Sequence, residues 1–342
     1  MAKKQVSLKD FANELGVSVS TVSRALKNHP DISWEIKQKV HDLAKRWDYT
    51  ITAPQAGFHN PTTKTIGVIV PNMVRFFYSS ILSGIESYAK NQGYFIVIAN
   101  SNESYANEKE CVDNLLRLNV DGLLVCLSQE SLDFSHFDKA RQHDVPLVFF
   151  DRVCRTSEFS SVIADNAEAA KAIVTHLKAN GARRIAHIAG PKNLNISKER
   201  TAGYLMALND GALEYNADLL VNCDLSLEGA ADAVQKLMTA RNKPDAIFCV
   251  NDTVAYVTIK ELKKLGYKIP QDIAVTGFNN EFHSTLVEPP LTTVSHPTFE
   301  MGQEAARMLI DQIESGRPHS PRQIVMKTKL IVRDSSIKNN ER

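Results

Sequence analysis

One arginine closes a run of hydroxyl and β-branched residues, VSVSTVSR at 17–24. A guanidinium can donate two parallel hydrogen bonds to O6 and N7 of guanine. A valine methyl can meet the thymine methyl, and hydroxyls can reach phosphates or base edges. At helical spacing Val19, Ser20, Ser23 and Arg24 face outward while Val22, Ala25 and Leu26 turn inward. Buried helices favour Leu and Met, and solvated ones favour Glu and Lys. This stretch has neither, so it suits a surface laid against something other than water. A second set of residues follows strand-like runs. RFFYSSI offers Phe77 and Tyr78, an aromatic platform for a sugar or base face. FFDR offers Asp151 and Arg152, SKERTAGY offers Arg200, VNDTVA offers Asn251 and Asp252, and GFNNE offers Asn279. Asn251 and Asp252 are also helix N-cap candidates.

The elements that would position these groups are of two kinds. SLKDFANELG reads as a helix capped by Ser7, with Leu8, Phe11, Ala12 and Leu15 on one face. Gly16 ends it, Ser18 caps a second helix running to about Leu26, and Asn28-His29-Pro30 breaks that one. A third helix, Trp34 to Arg46, buries Ile36, Val40, Leu43 and Ala44. Two helices joined by a short turn containing Gly have helix-turn-helix spacing. From Thr65 the pattern changes. TIGVIV, YFIVIAN, GLLVCL, PLVFFD, RIAHIAG, AIFCV and IAVTGF read as buried parallel strands, with amphipathic helices between them. That alternation implies βαβ units, whose polar ligands bind at the carboxyl ends of the strands.

Composition narrows the function classes. The 342 residues allow two or three domains, and 43% apolar with 23% charged residues is ordinary for a globular protein. The start, MAKKQVSLKDFANELG, has no apolar signal region, and no run approaches a membrane span. The five cysteines are far apart and never paired as C-x-x-C, which predicts reduced thiols in a cytoplasm and no structural zinc. Residues 1–64 hold ten Lys/Arg against six Asp/Glu, a basic head on a mildly acidic body. No G-x-S-x-G, H-E-x-x-H or phosphate-cradling glycine loop occurs, so neither an enzyme, a cofactor nor a metal site is expected.

VSLKDFANELGVSVSTVSRALKNHPDIS resembles the head of the LacI/GalR family of bacterial repressors, and the similarity continues along nearly the whole chain. The resemblance implies a head at 1–49, a hinge at 50–63, a two-lobed periplasmic-binding-protein-like α/β core at 64–335 and a tail at 336–342. Crossings between lobes are expected near Asp165, Ser295 and Met326. It puts Val19, Ser20 and Arg24 at base-reading positions, and Thr21, Ser23 and Asn28 at phosphates. Lys9 and Tyr49 lie where the family also approaches DNA. Phe77, Tyr78, Asp151, Arg200, Asn251 and Asn279 line its effector cleft. Asn279 stands where the family most often has Asp, and Leu194 and Ile196 where purine-binding members are polar. Both departures point away from a purine and toward a sugar or sugar derivative.

The linker TITAPQAGFHNPTTK departs further from the family. Pro54 fits only the first turn of a helix, Gly57 weakens one, and Phe58 stands where the family's minor-groove leucine would be. Two readings remain open there, a one-turn hinge with Phe58 as wedge and a plain tether. The resemblance implies a homodimer on a pseudo-palindromic double-stranded operator, controlled by a small polar effector. The competing class is a solute-binding protein with an incidental head.

Overall fold

The computed structural model describes residues 7–26, 29, 31–47, 62–210, 213–316 and 319–338, divided between two compact units whose boundary falls after Pro61. Asn28, Tyr49, Phe58 and the hinge segment 50–61 lie outside the described residues.

The first unit is three helices. The first, α1 (Leu8–Leu15), opens with a reciprocal cap. Ser7 Oγ accepts from the Asp10 N–H at 3.4 Å, and the Asp10 carboxylate accepts from the Ser7 N–H at 2.8 Å. Gly16, at φ 65°, takes the left-handed conformation that turns the chain out of α1. The second, α2 (Val19–Leu26), starts at Ser18, whose Oγ accepts from the Thr21 N–H at 3.1 Å. Ser33 caps α3 (Trp34–Arg46). Phe11, Ala12, Val22, Ala25, Leu26, Val40 and Leu43 are buried together, and Trp47 meets the Phe11 ring edge-on at 5.0 Å.

The second unit begins at residue 62, two residues before the expected start of the core at 64. Thr62 belongs to it, and the Thr63 N–H and hydroxyl both donate to Asp121 Oδ1. Its first lobe alternates β1 (Thr65–Val70), α4 (Phe76–Asn91), β2 (Phe95–Asn100), α5 (Tyr105–Arg117), β3 (Gly122–Val125), α6 (Asp138–Gln142), β4 (Leu147–Phe150) and β5 (Ser160–Ala164). These strands form a parallel sheet in the order β2-β1-β3-β4-β5. Except for the edge strand β2, they are buried on both faces, which is why they read as continuous apolar runs.

At Asp165 the chain enters the second lobe. It continues through α7 (Asn166–Ala179), β6 (Ile185–Ala189), α8 (Asn195–Asn209), β7 (Leu220–Asn222), α9 (Leu227–Thr239), β8 (Ala246–Cys249), α10 (Asp252–Lys264) and β9 (Ala274–Thr276). The strands again run parallel, in the order β7-β6-β8-β9. From β10 (Thr293–Ser295) the chain returns to the first lobe as α11 (Thr298–Ser315), packed on α4, and β11 (Gln323–Met326), paired with β5. A third crossing brings β12 (Lys329–Ile331) antiparallel to β10. Within the second lobe α7 and α8 touch backbone to backbone, since a Cβ on Gly203 would lie 2.1 Å from the Ala167 carbonyl oxygen. Among the described residues no helix is long and apolar enough to cross a membrane.

Candidate functional site

The outward face of α2 carries Val19, Ser20 and Arg24 exposed, with Thr21 and Ser23 half-buried beside them; Lys9 on α1 is exposed. Val19 keeps 43% of its surface open to solvent although it begins a helix whose other apolar residues are buried. The hydroxyls of Ser20 and Thr21 each share a hydrogen bond with Ser18 Oγ, at 2.7 and 2.8 Å. They are held in a cluster at the helix start, next to its free N–H groups, a position suited to a phosphate oxygen.

In the second unit, strand ends from both lobes converge on one cleft. Arg75, Phe77 and Tyr78 reach it from the turn after β1 and the start of α4, and Asp151 and Arg152 from the end of β4. Ile196 and Arg200 come from α8, Leu225 from the loop after β7, Val250 and Asn251 from the end of β8, and Asn279 from the loop after β9. Three of these hold a left-handed backbone: Asp151 at φ 57°, Leu225 at φ 66° and Asn279 at φ 120°. Side chains tolerate that conformation only where the surroundings enforce it. The cleft spans about 360 Å³ with its open mouth counted, but its enclosed part is about 20 Å³, the room of about one water. Any ligand larger than a water would have to part the lobes or displace side chains to enter.

Arg200 is the most constrained of these groups. It is 2% exposed, its Nε donates to Asn166 Oδ1 at 3.0 Å, and its Nη1 donates to the Val250 carbonyl at 2.6 Å. The guanidinium lies 3.8 Å from the centre of the Phe278 ring. Burial lowers its pKa to about 10, so it remains a cation at neutral pH. Asn166 is fixed in turn by the Ala164 carbonyl at 3.2 Å and Glu199 at 2.9 Å, both accepting from its Nδ2. Burial raises the Asp151 carboxyl, against the pull of Arg200 and Arg152. Arg152 pairs with Glu103 at 2.7 Å and donates to the Leu127 carbonyl. The Phe77 and Tyr78 rings meet edge-on at 5.3 Å.

Seven of the eight cleft residues expected from the sequence come together. Asp252 does not. It is fully buried behind the cleft, where Oδ1 accepts from the Thr293 hydroxyl and Oδ2 from the Glu281 N–H and the Ser284 hydroxyl. It braces the loop that carries Asn279 and has no access to the cleft. Asn251 caps α10, its Oδ1 accepting from the Val254 N–H at 2.8 Å, which leaves Nδ2 for a ligand.

Sequence reading missed Arg75, Leu225 and Val250. Arg75 opens the stretch RFFYSSI, and its place in the cleft is set by a contact with the opposite lobe. The polar bridges between lobes were missed too. Asn193 donates to the Gln129 and Ser131 carbonyls. Asn195 donates to the Asp151 carbonyl and accepts from the Val153 N–H. Arg75 Nη2 donates to the Leu225 carbonyl at 3.1 Å. No sequence pattern marks these, because each bonds to backbone.

A helix-turn-helix unit with a free recognition face, joined to a two-lobed core with a polar cleft at strand ends, defines a ligand-responsive DNA-binding regulator. Residues 7–51 match the family described as bacterial regulatory proteins, lacI family, and residues 63–333 match periplasmic binding proteins and sugar binding domain of LacI family. The chain belongs to the LacI family. It is 31% identical to the HTH-type transcriptional repressor CytR of Escherichia coli (strain K12), over 98% of each chain. It is 29% identical to the repressor PurR of Vibrio vulnificus (strain CMCP6), over 98% of this chain and 99% of that one. Among solved structures, a transcriptional regulator CelR–cellobiose complex superposes with a TM-score of 0.74 at 29% identity, covering 96% of this chain and 99% of that one.

Proposed function

We propose that the protein is a transcription repressor that binds a pseudo-palindromic operator as a homodimer in the cytoplasm. A sugar or sugar derivative held between the lobes sets its operator affinity. One observation carries the reading. Asp151, Arg200, Asn251, Asn279 and the adjacent pair Phe77 and Tyr78 come from five separate chain segments and two lobes, yet share one cleft. Apolar faces of a sugar would stack on the aromatic pair, and its hydroxyls would meet the amides and charges. The CelR complex with cellobiose supports the same ligand class. A ligand touching both lobes changes their angle about the three crossings, and two heads then change spacing against two half-sites.

The test is a gel-shift titration of the full chain on operators selected from random DNA, at two salt concentrations, with and without a sugar panel. Operator-selective binding that weakens steeply with salt, and shifts with one sugar, is expected. Sugar binding with no DNA selectivity would identify a solute-binding protein instead.

A further inference from the structure

Arg75 has no role in the reading above. It stands half-buried at the N-cap of α4, and its guanidinium spans to the second lobe through the Leu225 carbonyl. Among the described residues no carboxylate lies within 4.0 Å of it, nor of Arg200. Arg152 has Glu103, yet its Nε, in the wall of the cleft on a residue 2% exposed, has no acceptor. Against these three guanidinium groups the cleft lining presents one carboxyl, Asp151. With the Arg152–Glu103 pair closed and Asp151 set against Arg200, the charge of Arg75 is left over. Two further carboxyls stand nearby, Glu199 toward Arg200 and Glu281 toward Arg75. Burial raises both, Glu281 to about 7, so Glu281 cancels the charge of Arg75 only in part at neutral pH. The backbone adds charge of the same sign. Neither α4 nor α8 has a side-chain cap, and their first turns bring Phe77 and Ile196 into the cleft lining.

We infer that the cleft takes a ligand bearing a compact oxyanion, a carboxylate or a phosphate, and that Arg75 is the residue that selects it; this rests on the cleft being the effector site. For a sugar ligand the class narrows to sugar acids and sugar phosphates. The anion seats on the Arg75 fork, and the neutral hydroxyls meet Asp151, Arg200, Asn251 and Asn279. Seating it exchanges the neutral Leu225 carbonyl for a charged acceptor, which a guanidinium binds about twice as strongly. The same exchange releases one of the bridges between lobes, so the anion is read directly as a change in lobe contact.

The test titrates the full-length protein calorimetrically with inorganic phosphate, D-gluconate and D-glucose 6-phosphate, with D-glucose and chloride at matched ionic strength as controls. At least one oxyanion is expected to outbind both controls. Arg75→Gln should weaken it by about tenfold or more, and Arg75→Lys should retain part of the preference. Thermal unfolding without ligand checks that both variants fold. Oxyanions no better than the controls on the wild type, or equally good on Arg75→Gln, overturn the inference. A parallel Arg200→Gln titration separates the two levels. Oxyanion binding lost there but kept in Arg75→Gln leaves the cleft as the site and removes Arg75 as selector. Binding kept in both removes the cleft itself.

Discussion

Arg24 and Arg200 are both arginines assigned to recognition, and their surroundings are opposite. Arg24 is exposed on α2, above a core that it takes no part in. Arg200 is 2% exposed, stacked on Phe278 and tied to Asn166 and Val250. On the proposed function the first meets DNA from the solvent, and the second, which is part of the architecture of its lobe, meets a small effector. A surface that reads DNA can therefore change its side chains at little cost to folding. A cleft that reads a small molecule cannot, because its ligand-binding groups also complete the hydrogen bonding of strand ends.

Substitution at the buried arginine has the largest expected effect. Arg200→Ala leaves the Val250 carbonyl and the Asn166 amide without their donor and opens a hole beside Phe278. Through the two unsatisfied acceptors and the cavity it should destabilise the core by about 2–5 kcal/mol, and it should abolish the response to sugar. Operator binding by the ligand-free protein should persist, since the head folds on its own buried cluster. Chemical denaturation and a gel shift on the same preparation check both halves. A sugar response of normal size in a folded variant would remove Arg200 from the ligand site.

Glu281 sharpens the contrast through pH. It is 7% exposed, and burial, with Asp252 adding to it, raises its pKa from 4.5 to about 7. The folded protein then holds a proton that the unfolded chain has released. Between pH 4.5 and 7 this group makes stability fall as pH rises, by about 3 kcal/mol in all. Glu281→Gln should remove that slope and leave the variant more stable than wild type at pH 8. Urea unfolding at pH 5 and pH 8 gives the difference, and equal pH dependence in both proteins would place the Glu281 carboxyl in water.

How much could be read beforehand follows from the same contrast. The head was legible because its determinants are local. Ser7, Gly16 and Ser18 mark the helix ends, and Val22, Ala25 and Leu26 lie at helical spacing on one face. The parallel sheets were legible because strands buried on both faces read as unbroken apolar runs. The cleft was legible only in part. Asp151, Asn251 and Asn279 sit just past strand ends, where a ligand group is expected, and Arg200 lies in the second turn of α8, but Asp252 also follows a strand end and its side chain points into packed protein. Which of two adjacent polar residues faces a cleft depends on the local backbone. Arg75 and Leu225 were missed because their place in the cleft is set by the opposite lobe.

At the exposed arginine the effect moves from stability to selectivity. Arg24→Ala should leave the unfolding transition nearly unchanged. It should cost roughly 1–3 kcal/mol of operator affinity and flatten the preference at one base pair per half-site. Selection from a randomised operator library measures that preference. If the variant kept the wild-type consensus, Arg24 would be a phosphate contact or none.

The smallest effect tests whether the two regions are independent at all. Ser7 and Asp10 form the reciprocal cap of α1, at the surface of the head. Ser7→Ala removes the hydroxyl that accepts from the Asp10 N–H and donates to the Asp10 carboxylate, and should cost about 1 kcal/mol. The sequence allows that loss to be read in the head alone, because its two tryptophans, Trp34 and Trp47, both lie there. Trp47 packs edge-on against Phe11, so its fluorescence reports the packing of α1. Far-UV circular dichroism is dominated instead by the helices of the core. In a denaturant titration the tryptophan transition of Ser7→Ala should move to lower concentration, while the dichroism transition of the core stays in place. If both transitions moved together, the head and core would unfold as one cooperative unit. The comparison between a free reading surface and a structural cleft would then need the coupling between them as a third term.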